Sequence, residues 1–242
     1  MFVLLCPFLL SRVCAVEYRK VEHSGKWLIV CTVDPALERL DLFFQDEQGA
    51  VLHTFARLEA MLRGRGERLV FGMNAGMFHP GFAPVGLFVA EGRERTPLST
   101  VAGEGNFFLK PNGVFALTDA GAVVVEAARW PGLAGKARLA TQSGPMLVID
   151  GNLHPAFRAG SDSRLFRNGV GITPDRKVAF VISMEAVNFY EFATLFRDVL
   201  KCRNALFLDG TISALHAPEL KRSDAPFPLG PLLGVTEKMA KP

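Results

Sequence analysis

The chain has 242 residues, 49% of them hydrophobic and 21% charged, a globular composition that excludes a disordered chain. A formal charge of +3, with no cluster of Lys and Arg interleaved with aromatics, argues against a nucleic-acid partner. The 20 Phe residues, against two Tyr and two Trp, point to rings used for core packing rather than for polar contacts.

Met1 to Leu10 is almost entirely apolar but too short to cross a bilayer. It resembles the apolar region of a signal peptide, with small residues near Ala15 as a cleavage zone, although no Lys or Arg precedes Arg12. Residues 1–15 are therefore expected to be a signal peptide and 16–242 the domain, placing the protein in the periplasm or outside the cell. A buried N-terminal strand is the alternative. No other stretch is long and apolar enough for a membrane helix, so no span is expected once the signal is removed. The four cysteines, Cys6, Cys14, Cys31 and Cys202, form no CxxC, which argues against a zinc or redox motif. An oxidising compartment would permit one disulfide among Cys14, Cys31 and Cys202, the pair being open.

Trp27 to Val33 and Leu40 to Phe44 read as strands. Thr54 to Leu62 has helical spacing, with Thr54 as N-cap. Leu69 to Met73 is a strand that opens into Asn74-Ala75-Gly76-Met77-Phe78-His79. Gly86 to Val89 follows as a strand. Asn106 to Leu109 and Gly113 to Leu117 flank Lys110-Pro111-Asn112-Gly113, where Asn-Gly signals a hairpin. Ala122 to Val125 is a strand. Arg138 to Thr141 and Met146 to Ile149 read as a pair around the polar kink Gln142-Ser143-Gly144-Pro145, closed by Asp150-Gly151-Asn152. Pro155 to Asn168 reads as a long loop. Gly169 to Ile172 and Val178 to Ser183 form a hairpin. Phe189 to Leu200 is the clearest helix, and Ala205 to Leu208 a buried strand that runs into Asp209-Gly210-Thr211. The tail from Pro218 reads as an extended strap. The sum is a single α+β domain of many short, mostly antiparallel strands with a few helices. Alternating strand–helix units are absent, which disfavours a doubly wound sheet.

Four polar clusters sit at the ends of apolar runs: Asn74 with His79; Gln142 with Ser143; Ser163-Arg164 with Arg167 and Asn168; and Asp209 with Ser213. Converging, they would offer a carboxylate, a guanidinium, an imidazole and several amides, which suit an anionic, oxygen-rich substrate. Ser143 lies outside any Gly-x-Ser-x-Gly pattern and reads as a turn residue rather than a nucleophile. Glu185, with Asn188, reads as a cap of the following helix or as a substrate contact. His23, His53, His154 and His216 are scattered and read as structural or exposed. No pair has metal-ligand spacing, so a divalent metal is open through spatial convergence alone, and no cofactor is expected with certainty.

These residues resemble the phosphodiester glycosidase family, the domain of the uncovering enzyme that removes N-acetylglucosamine from a phosphodiester, and within it a bacterial exported branch. The resemblance is carried by Met73 to His79, Gly105 to Gly113, Ala140 to Leu147, Arg167-Asn168-Gly169-Val170-Gly171, Val187 to Ala193 and Leu208-Asp209-Gly210, in the family's order. The family often has Asn-Gly-Gly-Phe-Phe where this chain has Asn74-Ala75-Gly76-Met77-Phe78. It often has Asp-Gly-Gly-Gly-Ser where this chain has Asp209-Gly210-Thr211-Ile212-Ser213, which implies a narrower pocket. The resemblance implies hydrolysis of a sugar-1-phosphodiester at the anomeric carbon, in a small molecule or an envelope polysaccharide. It implies Asp209 as general acid/base or nucleophile, Arg167 on the phosphate, and His79 as a second proton-transfer group or phosphate contact. Asn74 and Gln142 would hold sugar hydroxyls, with Ser143, Asn168, Ser213 and Glu185 as further substrate contacts. A non-catalytic carbohydrate or cell-wall binding protein, using the same amides and Arg167 without Asp209, is the competing reading.

Overall fold

The computed structural model describes residues 16–224 and 226–240. The expected signal segment, with Cys6 and Cys14, lies outside them. In chain order the elements are β1 (Glu17–His23), β2 (Lys26–Val33), β3 (Arg39–Phe43), α1 (Phe55–Gly64), β4 (Glu67–Asn74), β5 (Phe88–Ala90) and β6 (Arg93–Thr96). Then come β7 (Gly113–Thr118), β8 (Gly121–Glu126), β9 (Ala137–Ser143), β10 (Met146–Ile149), β11 (Asn152–Leu153), β12 (Asn168–Ile172) and β13 (Val178–Ser183). The chain continues through α2 (Phe189–Thr194), β14 (Ala205–Asp209), β15 (Leu215–Ala217), β16 (Arg222–Asp224) and β17 (Leu232–Lys238).

The strands form three antiparallel sheets. One has seven strands in the order β1-β2-β13-β12-β14-β10-β11; the others have five each, β16-β15-β4-β17-β3 and β6-β5-β9-β7-β8. The inner strands of the seven-stranded sheet are buried on both faces, whereas its edges β1 and β11 are partly exposed. Along β13, Val178, Phe180 and Ile182 enter the central core shared with the other sheets, while Ala179 and Val181 pack with Phe192 and Phe196 on the helical side. That two-sided burial follows from a continuous apolar run rather than an alternating one. Helix α1 is capped by Thr54, whose hydroxyl accepts from the Arg57 N–H, and lays Phe55, Leu58 and Leu62 on the outer face of the second sheet.

Four sequence expectations are corrected here. Asn106 to Phe108 is a 3-10 turn, and Asn112-Gly113 closes no hairpin. Pro111 has no N–H for a ladder, and the Asn112 side chain donates instead to the Phe107 carbonyl (3.0 Å). The hairpin forms one element later, β7 against β8. Strands β9 and β10 do not pair; the Gly144-Pro145 step sends them into different sheets. The strap from Pro218 is mostly a connection, and it ends in β17, an interior strand between β4 and β3. Helix α2 stops at Thr194 and continues as a π-turn, Leu195–Val199, which leaves Val199 exposed. Cys31 and Cys202 are both free and buried, so no bridge joins that pair. Burial pushes the Cys31 thiol's pKa up, and that of Cys202 up to about 12, which makes both unreactive.

Candidate active site

The site is built where β14 runs out of the seven-stranded sheet. On an unbroken ladder Asp209 would share a face with Phe207. The pairing of β12 with β14 shifts, however: Gly169 faces Phe207, and Asn168 faces Asp209, leaving Leu208 as the extra residue. Such a bulge re-aims a side chain at the end of a ladder, and here it sets the acid beside Asn168. Asp209 is buried, and its Oδ1 accepts from the Gly210 N–H (2.6 Å). Among the described residues no cation lies within ion-pair distance of it. Burial pushes its pKa up to about 6; the Gly210 N–H and the Asn74 amide pull in the opposite direction without offsetting it.

Asn74, at the end of β4, is also buried. Its Oδ1 accepts from the Ala214 N–H (2.9 Å) and from Asn168 Nδ2 (2.8 Å). That leaves Asn168 Oδ1 buried without a hydrogen-bond partner among the described residues, and Asn74 Nδ2 facing the Asp209 carboxyl without a hydrogen bond of full geometry. A donor and an acceptor left open beside a buried acid are unusual in a folded interior and mark a place where something else binds.

Three other expected contacts make hydrogen bonds inside the protein. Gln142 Oε1 accepts from the N–H groups of Leu87 (3.0 Å) and Ser99 (2.8 Å), and its Nε2 donates to the Ser99 carbonyl (2.8 Å). Ser143 donates to the Leu208 carbonyl (2.9 Å), tying β9 to β14 directly behind Asp209. Ser213 donates to the Gly210 carbonyl (2.6 Å) and closes the turn after the acid. These bonds tie the strands and loops around the site together. Glu185 accepts from the Trp27 N–H (2.9 Å) and pairs with Lys26 (3.4 Å). The helix cap is Asn188, in a capping box with Glu191.

Arg167 is fully buried and lies on the opposite face of β12 from Asn168, its guanidinium over the rings of Phe189 (3.7 Å) and Phe207 (5.5 Å). Nε donates to the Val187 carbonyl (2.9 Å) and Nη2 to that of Ser163 (3.0 Å); Nη1 has no partner. No carboxylate pairs with it among the described residues, and burial lowers its pKa to about 10. A buried guanidinium without a counter-ion is costly unless an anion comes to it.

His79 is exposed in the loop after β4. It shares with Asp209 a cavity of about 270 Å³ that Met77, Phe78, Glu104, Asn106 and Ile212 also line. Ile212, which stands where the resembled family often has glycine, is part of that lining. Glu104 was not signalled by the sequence: it lies in a Gly-rich loop, and its one cue is its position two residues before Asn106. Larger hollows of about 430 and 550 Å³ lie elsewhere on the surface and contain none of the expected residues. Among the described residues, no three of His, Cys, Asp and Glu come together as metal ligands.

Comparison with known proteins bears on family and fold. The family model described as phosphodiester glycosidase matches residues 67–222, which include Asn74, His79, Arg167 and Asp209. Uncharacterized protein YigE of Escherichia coli (strain K12) is 35% identical over 187 residues, covering 76% of this chain and 72% of its own. The zebrafish N-acetylglucosamine-1-phosphodiester alpha-N-acetylglucosaminidase catalytic domain, auto-inhibited by its pro-peptide, superposes with a TM-score of 0.62 at 14% identity, over 96% of this chain and 85% of that one. A hypothetical protein from Synechocystis gives 0.57 at 13% identity, over 91% and 61%. At such identities the structural likenesses speak for the fold, and it is the family model together with the 35% relative that establishes kinship. The chain belongs to the phosphodiester glycosidase family.

Proposed function

We propose that the protein is an exported hydrolase that cleaves the bond between an anomeric carbon and a phosphodiester oxygen, releasing a free sugar and a phosphomonoester from an envelope or polysaccharide substrate. The observation that carries this is Asp209: a buried acid at the wall of a cavity, with a pKa raised to about 6. A phosphomonoester is a good leaving group and needs little protonation. The demand is for a base near neutrality, which a carboxyl titrating at about 6 meets. Asp209 takes a proton from water as the water oxygen bonds to the anomeric carbon. The carbon–oxygen bond to phosphate breaks, and its electron pair leaves with the phosphate. Asn74 Nδ2 and Asn168 Oδ1 are the free groups that would orient sugar hydroxyls or that water. Arg167 supplies uncompensated positive charge behind the site, which favours an anionic ligand. His79 and Glu104, at the cavity mouth, would meet the sugar. Export rests on the apolar run Met1 to Leu10.

The test is a hydrolysis screen on UDP-sugars and sugar-1-phosphodiesters, with and without a chelator, comparing the protein with Asp209→Asn. Turnover that rises with pH through about 6 and is lost in the variant is expected. Unchanged turnover in Asp209→Asn refutes the role of the acid. Sugar binding with no turnover on any substrate favours the binding-protein reading. Loss of activity with the chelator would add a metal.

A further inference from the structure

The row of residues that faces Asp209 across the sheet continues as Asn168, Ile182 and Ile29 on β12, β13 and β2. Two residues further out on the same three chain paths stand Phe166, Met184 and Trp27. Hydrogen bonds continue past the strand ends, from the Ser183 N–H to the Arg167 carbonyl and from the Met184 N–H to the Trp27 carbonyl, both at 2.9 Å, before the pairing shifts to Leu165 with Val187. Strand alternation puts the three side chains on one face, spaced by about 5 Å per strand. All three are exposed, Phe166 at 50% and Met184 and Trp27 at 39% each, which is uncommon for large apolar residues set side by side. Lys20 Nζ stands 4.3 Å from the Trp27 ring centroid at the far end.

This exposure is enforced. The loop before β12 is tied down by the bidentate pair of Arg164 with Glu191 (2.6 and 2.7 Å), and by Asn188 Nδ2 on the carbonyls of Ala159 and Ser161. Leu165 is further bridged to Val187 in both directions. The row also adjoins the acid, since the Phe166 carbonyl lies 3.7 Å from where a Cβ on Gly210 would stand.

We propose that this row is the subsite for the leaving half of the substrate, and that the leaving half is a hydrocarbon chain carried on the phosphate. The inference rests on the hydrolase reading and names its substrate class. Asp209 lies between two surfaces. The cavity on one side sets Glu104, Asn106 and His79 in a wall of Met77, Phe78 and Ile212, a few polar groups in an apolar lining that suit a sugar's hydroxyls and ring face. The row on the other side offers rings and a thioether, bordered at its Trp27 end by the Glu185 carboxylate, which the Trp27 N–H and Lys26 already engage. A second sugar would leave its hydroxyls unmatched there, whereas an alkyl or prenyl chain needs nothing but apolar area.

Trp27 makes the row observable, because the other tryptophan, Trp130, is buried in a separate cluster. Dodecyl phosphate, below its micelle concentration, should shift the emission of the wild-type protein to the blue in a saturable way, and glucose-1-phosphate should not. The shift should vanish in Trp27→Phe and weaken by about tenfold in affinity in Phe166→Ser/Met184→Ser. In turnover, the dodecyl ester of N-acetylglucosamine-1-phosphate should exceed the methyl ester in kcat/KM by about tenfold or more, and the double variant should bring that ratio toward one. Equal kcat/KM for the two esters, or an emission response identical in wild type and double variant, overturns the subsite while leaving the hydrolase reading standing. Saturable dodecyl phosphate binding at the row with neither these esters nor any substrate of the hydrolysis screen turned over supports the surface and overturns the hydrolase reading.

Discussion

Replacing Asp209 by Asn tests the site through stability, independently of any substrate. In the folded protein this carboxyl titrates at about 6, against an ordinary value of 3.8. The gap corresponds to roughly 3 kcal/mol between protonated and ionised forms. Because the folded value is the higher one, the native state holds the proton more tightly than the unfolded chain. The wild type therefore loses stability as pH rises from about 4 to above 6, and the loss is complete above both values. The cost of keeping the ionised acid buried works out at about 0.6 kcal/mol at pH 4, about 1.6 at pH 5 and about 3 at pH 8. Asparagine has nearly the same shape, can still accept from the Gly210 N–H, and carries no charge. The variant should thus gain on the wild type by roughly 2 kcal/mol between pH 4 and pH 8, while other carboxylates cancel in the difference. Urea unfolding of both proteins at pH 4, 5 and 8 measures it. At pH 8, thermal unfolding should show a rise of about 6–12 °C for a chain of this size. Activity should fall by at least about a hundredfold in the same variant. A stability difference that does not grow with pH, or a variant less stable at pH 8, would refute the assignment of a buried, uncompensated carboxyl.

Other outcomes follow from the same contacts. Gln142→Ala strips partners from the Leu87 and Ser99 N–H groups and should cost about 2–4 kcal/mol in chemical denaturation, while KM of the folded variant stays near wild type. Arg167→Met leaves the carbonyls of Val187 and Ser163 without their donors but also removes a buried, uncompensated charge, so stability should change by less than about 2 kcal/mol while inorganic phosphate binding measured by calorimetry weakens. Gly86→Ala places a Cβ 2.3 Å from Gln142 Oε1, so it should break the same clamp from the other side and lower the melting temperature as much as Gln142→Ala does.

The parts of the fold legible in the sequence are those whose burial is continuous. The runs of β2, β13 and β14 read directly as strands because both faces of their sheet are covered. β17 was hidden because its Pro-rich approach outweighed a short run, Leu232 to Val235, that carries a Gly in its middle. β1 is an edge strand with mostly exposed side chains and gives no apolar signal. In the site, the position of Asp209 at a strand end was legible, but the bulge that turns it toward Asn168 was not, since Leu208 looks like any other strand residue. Gln142, Ser143 and Ser213 were expected to face substrate for a related reason: an amide or hydroxyl at a strand end has the same letter whether it bonds to a sugar or to a neighbouring carbonyl. Arg167 was legible as a site residue, yet its placement on the Phe189 and Phe207 rings required the three-dimensional register.

Hydrogen-bond completeness separates the residues that hold this site from those left open in it. Gln142, Ser143 and Ser213 have their bonds made inside the protein, and each ties a loop or strand to the neighbourhood of Asp209. Asn74 Nδ2, Asn168 Oδ1 and Arg167 Nη1 are buried and unmatched. An unmatched buried group costs about 1–3 kcal/mol, so three on adjoining elements are a substantial sacrifice of stability. Two further open atoms, His53 Nδ1 and His216 Nε2, show that isolation alone is not diagnostic. His216 Nε2 sits 3.8 Å from a Glu59 oxygen, and the His53 ring packs against Phe82. What distinguishes the first three is their convergence. Asn168 bonds to Asn74, faces Asp209 across the ladder, and follows Arg167 in the chain. Donor, acceptor and acid thus meet at one bulged strand end, with the cation one residue away on the opposite face. Local rules are broken there together, as expected where a fold gives up stability to leave room for a ligand.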